Sequence, residues 1–364
     1  MNIAMVLFRY FPFGGLQRDF ARIATEAVRR GHQVSAIVSD WQGEAIPGVV
    51  LKGVDVAGRS NHGRMKNFAQ KVQGITQSEK YDCVIGFNRM PGLDVYFASD
   101  TCFREHVVNK SALVRLLPRY RAYLDIEKEV LGPEGPLILF LNEHQKRQYL
   151  AHYALPESRY RVLPPGIDRS RKRSKDYQVV RERMRDALGV GPGNTLILFL
   201  GSGFKVKGLD RALSAFASLP ESARLMIVGN DDAEPYLSAC PESVKARVLV
   251  LGPRDDVSEL MQAADLLLHP AYRESAGMVL LEATVAGLPV LTTDTCGYAE
   301  HVKKAGSGEV VSSPFNQHKL NELLVEMVAR LPGAWQEKGL SYGENPDLYR
   351  LPQYVLDEVE RCRK

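Results

Sequence analysis

Short apolar runs alternate along the chain with stretches that carry apolar residues at helical spacing. That alternation predicts β-α-β units and mainly parallel sheets. "NIAMVLF" is the first expected strand, "FPFGG" a turn, and Leu16 to Arg30 a helix closed by Gly31. "QVSAIVS", "YDCVIGF", "DVYFAS" and "LILFLNE" continue the series, and "VLPPGI" from Val162 to Ile167 is a stiff linker. A second series follows: "NTLILFLGSG", "ARLMIVGN", "ARVLVLG", "ADLLLHP", "LPVLTTD" and "GEVV", with a helix from about Leu209 after the first of these. Two such series predict an α/β protein of two Rossmann-like β/α/β domains facing a central cleft. The expected domains are residues 1–165 and 166–344, with a C-terminal helix in 345–364 that could pack back on the first.

Sheets of this kind bind ligands beyond the carboxyl ends of their strands, so the post-strand segments carry the candidate chemistry. In "FPFGGLQRDF", Gly14 and Gly15 allow close approach and the next helix offers free N–H groups; a tight turn explains the glycines equally well. In "GSGFKVKG", Lys205 and Lys207 stand just before a helix N-terminus, where cations oppose the helix dipole. Either a diphosphate lies between them and the amides, or both lysines are solvated. In "GPRDDVSELM" an aspartate of the Asp255–Asp256 pair is a natural N-cap, whereas Arg254 has no such structural reason to be there. In "RESAGMVLLEATVAGLPVL", Glu274 and Glu282 interrupt an otherwise small and aliphatic stretch. With a helix beginning near Gly277, Glu274 lies in the preceding loop and Glu282 about a turn and a half inside. Ser275-Ala276-Gly277 would let phosphate oxygens reach the helix amides, and the two carboxylates would accept hydrogen bonds from two sets of hydroxyls.

Composition narrows this little. A chain of 364 residues suits two domains, and a net charge of +4 is too mild to imply nucleic acid. Five cysteines without a C-x-x-C argue for reduced thiols and a cytoplasmic protein. The opening apolar run meets Arg9 too early for a signal peptide, and no stretch is long enough to span a bilayer.

"HPAYRESAGMVLLEATVAGLPVLTT", with its E-x7-E spacing, closely resembles the donor-site signature of the retaining GT-B glycosyltransferases of glycosyltransferase family 4. "GGLQRDFARIATEAVRRGHQV", "LPPGI" and Lys207-Gly208 extend the likeness in the same order. Within the family, "YFPFGGLQRDF", "GFNRMPGLDVYFASD" and "DVSELMQAADLLLHPAY" resemble the glucosyltransferases that attach the first hexose to a lipopolysaccharide inner-core heptose. The resemblance implies a UDP-hexose donor, UDP-glucose above others, and an acceptor-binding first domain, with closure completing the site. Glu282 would hold the ribose and Glu274 the hexose. Ala276, Gly277, Met278 and Val279 would present N–H groups to sugar and diphosphate. Lys207 and Arg171 would neutralise the diphosphate, Arg254 would lie near the nucleotide, and Gly15 and Asp19 would approach from the first domain. Two cations would replace a metal, since no D-x-D stands at a strand end; Asn230-Asp231-Asp232 is the nearest imitation and suits a turn.

Two departures from the wider family stand out. Asp100 occupies the strand end where many members carry histidine. There it would assist an oxocarbenium-like centre or take the acceptor's proton, with a buried structural aspartate as the alternative. Gly201-Ser202 replaces an arginine-bearing turn, a gap Arg171 would fill. The expected catalytic residues are Asp100, Lys207 and Glu274, with no metal or other cofactor. Another UDP-sugar-dependent GT-B enzyme, a sugar-nucleotide epimerase and a non-catalytic membrane scaffold are the alternatives.

Residues 103–131 interleave Arg104, Lys110, Arg115, Arg119 and Arg121 with Leu113, Leu116, Leu117, Tyr120 and Tyr123. This pattern suits peripheral attachment to an anionic inner-membrane surface, from its cytoplasmic side, or an ordinary helix with a basic face. Pro118 splits the segment into two expected short helices. Oligomeric state has no signal in the sequence.

Overall fold

A computed structural model describes residues 1–12, 14–108, 110–331 and 333–362. Phe13 in the first turn, Asn109 in the basic segment and the last two residues of the tail therefore lie outside the described residues. Two compact units emerge, Met1–Gly166 with Tyr349–Lys364, and Ile167–Leu348. The chain changes unit inside "VLPPGI", and changes back four residues beyond the position expected near 344.

The first unit holds β1 (Asn2–Tyr10), β2 (Gln33–Trp41), β3 (Val49–Gly53), β4 (Cys83–Gly86), β5 (Val95–Ala98), β6 (Leu137–Phe140) and β7 (Tyr160–Val162). Their order is β3-β2-β1-β4-β5-β6-β7, and every pairing is parallel. The second unit holds β8 (Thr195–Leu200), β9 (Ala223–Val228), β10 (Val248–Gly252), β11 (Leu266–His269), β12 (Val290–Thr293) and β13 (Gly308–Val311). Their order is β10-β9-β8-β11-β12-β13, also parallel throughout. Both sheets have the doubly wound arrangement, with the order reversing between β1 and β4 and between β8 and β11.

The central strands are apolar on both faces because helices cover both. Ile3, Met5 and Val6 in β1, and Leu196 to Phe199 in β8, are wholly buried. Burial falls off at the sheet edges, β10 among them, where Val250 is exposed. β3 leaves Val50 and Leu51 exposed, while β7 is only three residues long and runs into Pro164. The C-terminal helix Leu351–Arg361 lies against the helix Gly15–Arg29. Arg30 reaches Asp357 at 2.8 Å and Glu360 at 3.1 Å, which tethers the tail within the first unit.

The basic segment forms three helices rather than two: Phe103–Val107, Ala112–Arg115 and Pro118–Val130. Pro118 starts the third, where its missing N–H is no loss. Leu113, Leu116 and Leu117 are exposed, with Leu113 at 79%. Tyr120 and Tyr123 instead turn to the Phe103 ring, with centroids at 5.9 and 5.2 Å. The outward face is thus aliphatic and basic, without the tyrosines.

Candidate active site

In the second unit, the site grows from the strand ends at the reversal between β8 and β11. After β8 come Gly201, Ser202 and Gly203, then a single helical turn, Phe204–Lys207. Lys205 and Lys207 belong to that turn rather than preceding it; Gly208 then starts the helix Leu209–Phe216. Gly208 has φ of +77°, and a Cβ there would lie 2.2 Å from the Pro270 carbonyl oxygen. No other residue type fits, so Lys207-Gly208 is locked against the loop after β11. The Val206 carbonyl accepts the Tyr272 N–H at 2.8 Å, drawing the same two loops together.

This brings Lys207 onto Glu274, its Nζ in direct contact with Oε2. Both side chains are partly exposed, at 21% and 16%. Burial pulls the Lys207 ammonium below the usual lysine pKa, so the charge needs an anionic partner. Glu274 is fixed through its backbone, since its N–H donates to the Thr295 carbonyl and its carbonyl accepts from Gly297.

The helix Met278–Val285 begins one residue later than expected from Gly277, which caps it with φ of +82° and no side-chain capping bond. Ala276, Met278 and Val279 are partly exposed at this end, where backbone N–H groups suit an anion. Glu282 lies one turn further in, 5% exposed, with its Oε1 3.5 Å from Arg171 Nε. Arg171 also donates to the Ser258 hydroxyl at 2.8 Å. The second unit therefore gathers Lys207 with Glu274, and Arg171 with Glu282, in two cation–carboxylate pairs beside one helix N-terminus.

Two expectations need correcting, that Arg254 has no structural reason and that the acidic pair caps the following helix. Arg254 does have a structural reason: its Nε donates to Asp256 at 2.8 Å on the surface. For the same reason Asp256 makes no side-chain cap, and the Arg254 hydrogen bond holds its carboxyl below the usual range. The Asn230–Asp232 stretch is a turn in which Asp231 accepts the Phe204 N–H at 2.7 Å and Asp232 accepts that of Glu234 at 2.9 Å. Those carboxylates hold backbone N–H groups. Sequence reasoning missed His269, the last residue of β11, wholly buried 3.6 Å from Glu274. A histidine closing an apolar strand was its available signal.

In the first unit, Gly14 caps the helix Gly15–Arg29, and a Cβ on Gly14 would strike Gln17 and Phe11, whereas one on Gly15 meets open space. Asp19 sits buried one turn inside that helix. Asp100, beyond β5, is exposed, so the buried structural aspartate is excluded. Its carboxylate accepts from the Tyr96 hydroxyl at 3.2 Å, and its carbonyl accepts from Gln145 at 2.9 Å and Tyr149 at 3.1 Å. Behind it lies a buried centre with no counterpart in the sequence reading. Arg89 and Glu127 form an ion pair, 9% and 0% exposed. Glu127 also accepts from the N–H groups of Phe103 at 2.6 Å and Arg104 at 2.8 Å and from the Tyr153 hydroxyl at 2.9 Å. Arg89 donates to the Tyr149 hydroxyl at 2.6 Å and the Thr101 carbonyl at 2.9 Å.

Two Rossmann-like units, with paired cations and carboxylates at a helix N-terminus in the second, define the GT-B class of glycosyltransferase. Residues 13–171 match the model of Glycosyltransferase Family 4, and residues 180–330 that of Glycosyl transferases group 1. Lipopolysaccharide glucosyltransferase WaaG of Escherichia coli K12 is 43% identical over 99% of this chain and 98% of its own length. The crystal structure of WaaG superposes with a TM-score of 0.93 at 42% identity, over 98% of this chain and 99% of that one. HepE of Anabaena, solved with UDP and glucose, shares the fold at a TM-score of 0.75 and 17% identity over 99% of each chain. The chain belongs to glycosyltransferase family 4, and it is a GT-B glycosyltransferase.

Proposed function

We propose that the chain transfers glucose from UDP-glucose to a heptose of the lipopolysaccharide inner core, with retention and without a metal. The carrying observation is the pairing of Lys207 with Glu274 and Arg171 with Glu282, in a chain similar over its whole length to a lipopolysaccharide glucosyltransferase. In this reading the bond from the anomeric carbon to the diphosphate oxygen breaks as an acceptor hydroxyl oxygen takes that carbon. Lys207 and Arg171 offset the charge gathering on the leaving UDP, which is the largest electrostatic demand of the step. Glu282 receives the ribose hydroxyls and Glu274 those of the hexose. Ala276 to Val279 offer N–H groups to sugar and diphosphate. Asp100 is the candidate for the acceptor's proton; Gly15, Asp19 and Arg254 remain proposed contacts of lesser weight.

The exposed Leu113, Leu116 and Leu117, flanked by exposed Arg115, Arg119 and Arg121, support attachment to an anionic membrane. No helix among the described residues is long and apolar enough to cross a bilayer. The test is release of UDP from UDP-glucose, UDP-galactose and UDP-N-acetylglucosamine in EDTA, with and without heptose-terminated core. The expected result is acceptor-dependent release from UDP-glucose. Release without acceptor, preference for another donor, or loss in EDTA would each overturn the corresponding part.

A further inference from the structure

His269 closes β11, is 0% exposed, and neither ring nitrogen has a hydrogen-bond partner. A native fold seldom leaves buried polar groups unpaired, so such a group asks for an explanation. Phe199 lies along one side of the ring, with centroids 6.5 Å apart. The Leu200 carbonyl favours a ring proton, yet lies outside bonding geometry. Burial, and then the Lys207 charge, lower the imidazole pKa to about 3, so the ring is neutral at physiological pH. Its Nε2 is 3.6 Å from Glu274 Oε2, the same oxygen that Lys207 grips.

One carboxylate oxygen thus faces two donors, one charged and in contact, the other neutral and waiting. We propose that His269 is a positioning residue for Glu274: its Nε2–H donates to that oxygen when the diphosphate of a UDP-sugar draws Lys207 away. Glu274 then stays aimed at the hexose while Lys207 serves the leaving group. A neutral donor suits this exchange, because it neither cancels the Glu274 charge nor competes with Lys207 for the diphosphate. The inference rests on reading this site as a UDP-sugar site.

Ring ¹⁵N shifts of His269 in the full chain at pH 7 test the first half without any turnover. A neutral ring protonated at Nε2 is expected, with its N–H resonance moving downfield on addition of UDP-glucose or of UDP, since both carry the diphosphate that draws Lys207 away. A proton on Nδ1 would overturn the proposal. H269F, which fills the space without a donor, should bind UDP within twofold of the natural chain by calorimetry. It should lower the transfer rate about 10- to 100-fold, the range over which groups that orient a contacting ligand act. H269Q, which restores an N–H near the Nε2 position, should recover most of that loss. In the E274Q background, H269F should leave UDP-glucose affinity unaltered. Full activity of H269F, or the same UDP-glucose affinity loss with and without Glu274, would overturn the proposal. Absence of UDP binding by the natural chain would instead sink the UDP-sugar reading on which the proposal rests, whereas a proton on Nδ1 with UDP binding intact would overturn the role of His269 alone.

Discussion

The two units carry one sheet topology and two different ion-pair environments. Arg89–Glu127 in the first is sealed, and nearly every lone pair of Glu127 is taken by backbone N–H groups, Tyr153 and Arg89. Lys207–Glu274 in the second is partly open, and beside it stand a helix end without a side-chain cap and an imidazole without partners. A pair closed off from solvent, with its carboxylate fully engaged and only Arg89 Nε left without a partner, holds the chain; an open pair can exchange partners. Glu127 joins the Phe103 and Arg104 amides to Arg89, and Arg89 joins the Thr101 carbonyl and Tyr149, which also donates to the Asp100 carbonyl. It fixes the loop that presents Asp100. In the proposed reading, the second pair receives the substrate.

Breaking the sealed pair should have the largest effect on folding. Glu127→Ala leaves the Arg89 guanidinium buried without its anion, at a cost of about 3–5 kcal/mol. Trp41 and Trp335 stand in different units, so denaturant unfolding followed by fluorescence in a Trp335→Phe background reads the first unit alone. The midpoint should fall while UDP affinity of the folded chain holds; an unmoved midpoint would show that the pair is not the anchor described.

Lys207→Ala should do the reverse. Transfer should slow by about 10²–10³-fold, as for removal of one donor to a developing charge, with an unfolding midpoint close to the natural one. A large loss of stability with intact turnover would exchange the roles of the two pairs.

Glu282→Ala sharpens the comparison inside the second unit. Losing hydrogen bonds to a charged acceptor is worth about 1.5–3 kcal/mol, so calorimetric UDP affinity should fall by about tenfold or more. Unchanged affinity would remove Glu282 from the ribose. The smallest effect per residue belongs to the surface of the first unit. Replacing Arg115, Arg119 and Arg121 by glutamine should weaken sedimentation with anionic vesicles by about 1 kcal/mol per residue. Donor hydrolysis should be untouched, and equal vesicle binding would return these helices to ordinary surface.

Much of this was legible in the chain. The central strands announce themselves as apolar runs, and the E-x7-E spacing places one carboxylate before the helix and one inside it. The edge strands β3 and β7 were not legible, because an edge needs no continuous apolar run and β7 is too short for a period. Glu127 was concealed among Asp125, Glu129 and the basic residues of its helix, where composition suggests a solvated face. Arg89 stands three residues beyond the end of β4, near the strand reversal, a position that inspection of every strand end would have reached.

The sequence by itself determined the architecture and the residue types at the site. Apolar periodicity, the positive-φ glycines and the spacing of Glu274 and Glu282 are local properties, set by backbone sterics within a few residues. Only the tertiary structure decided the partners. Lys207 meets Glu274 across 67 positions, Arg171 meets the Ser258 hydroxyl across 87, and Glu127 disappears from solvent while Asp125, Lys128 and Glu129 on the same helix stay out. Burial and charge pairing depend on which distant segments share a strand end, and those properties separate a structural ion pair from one that can exchange partners.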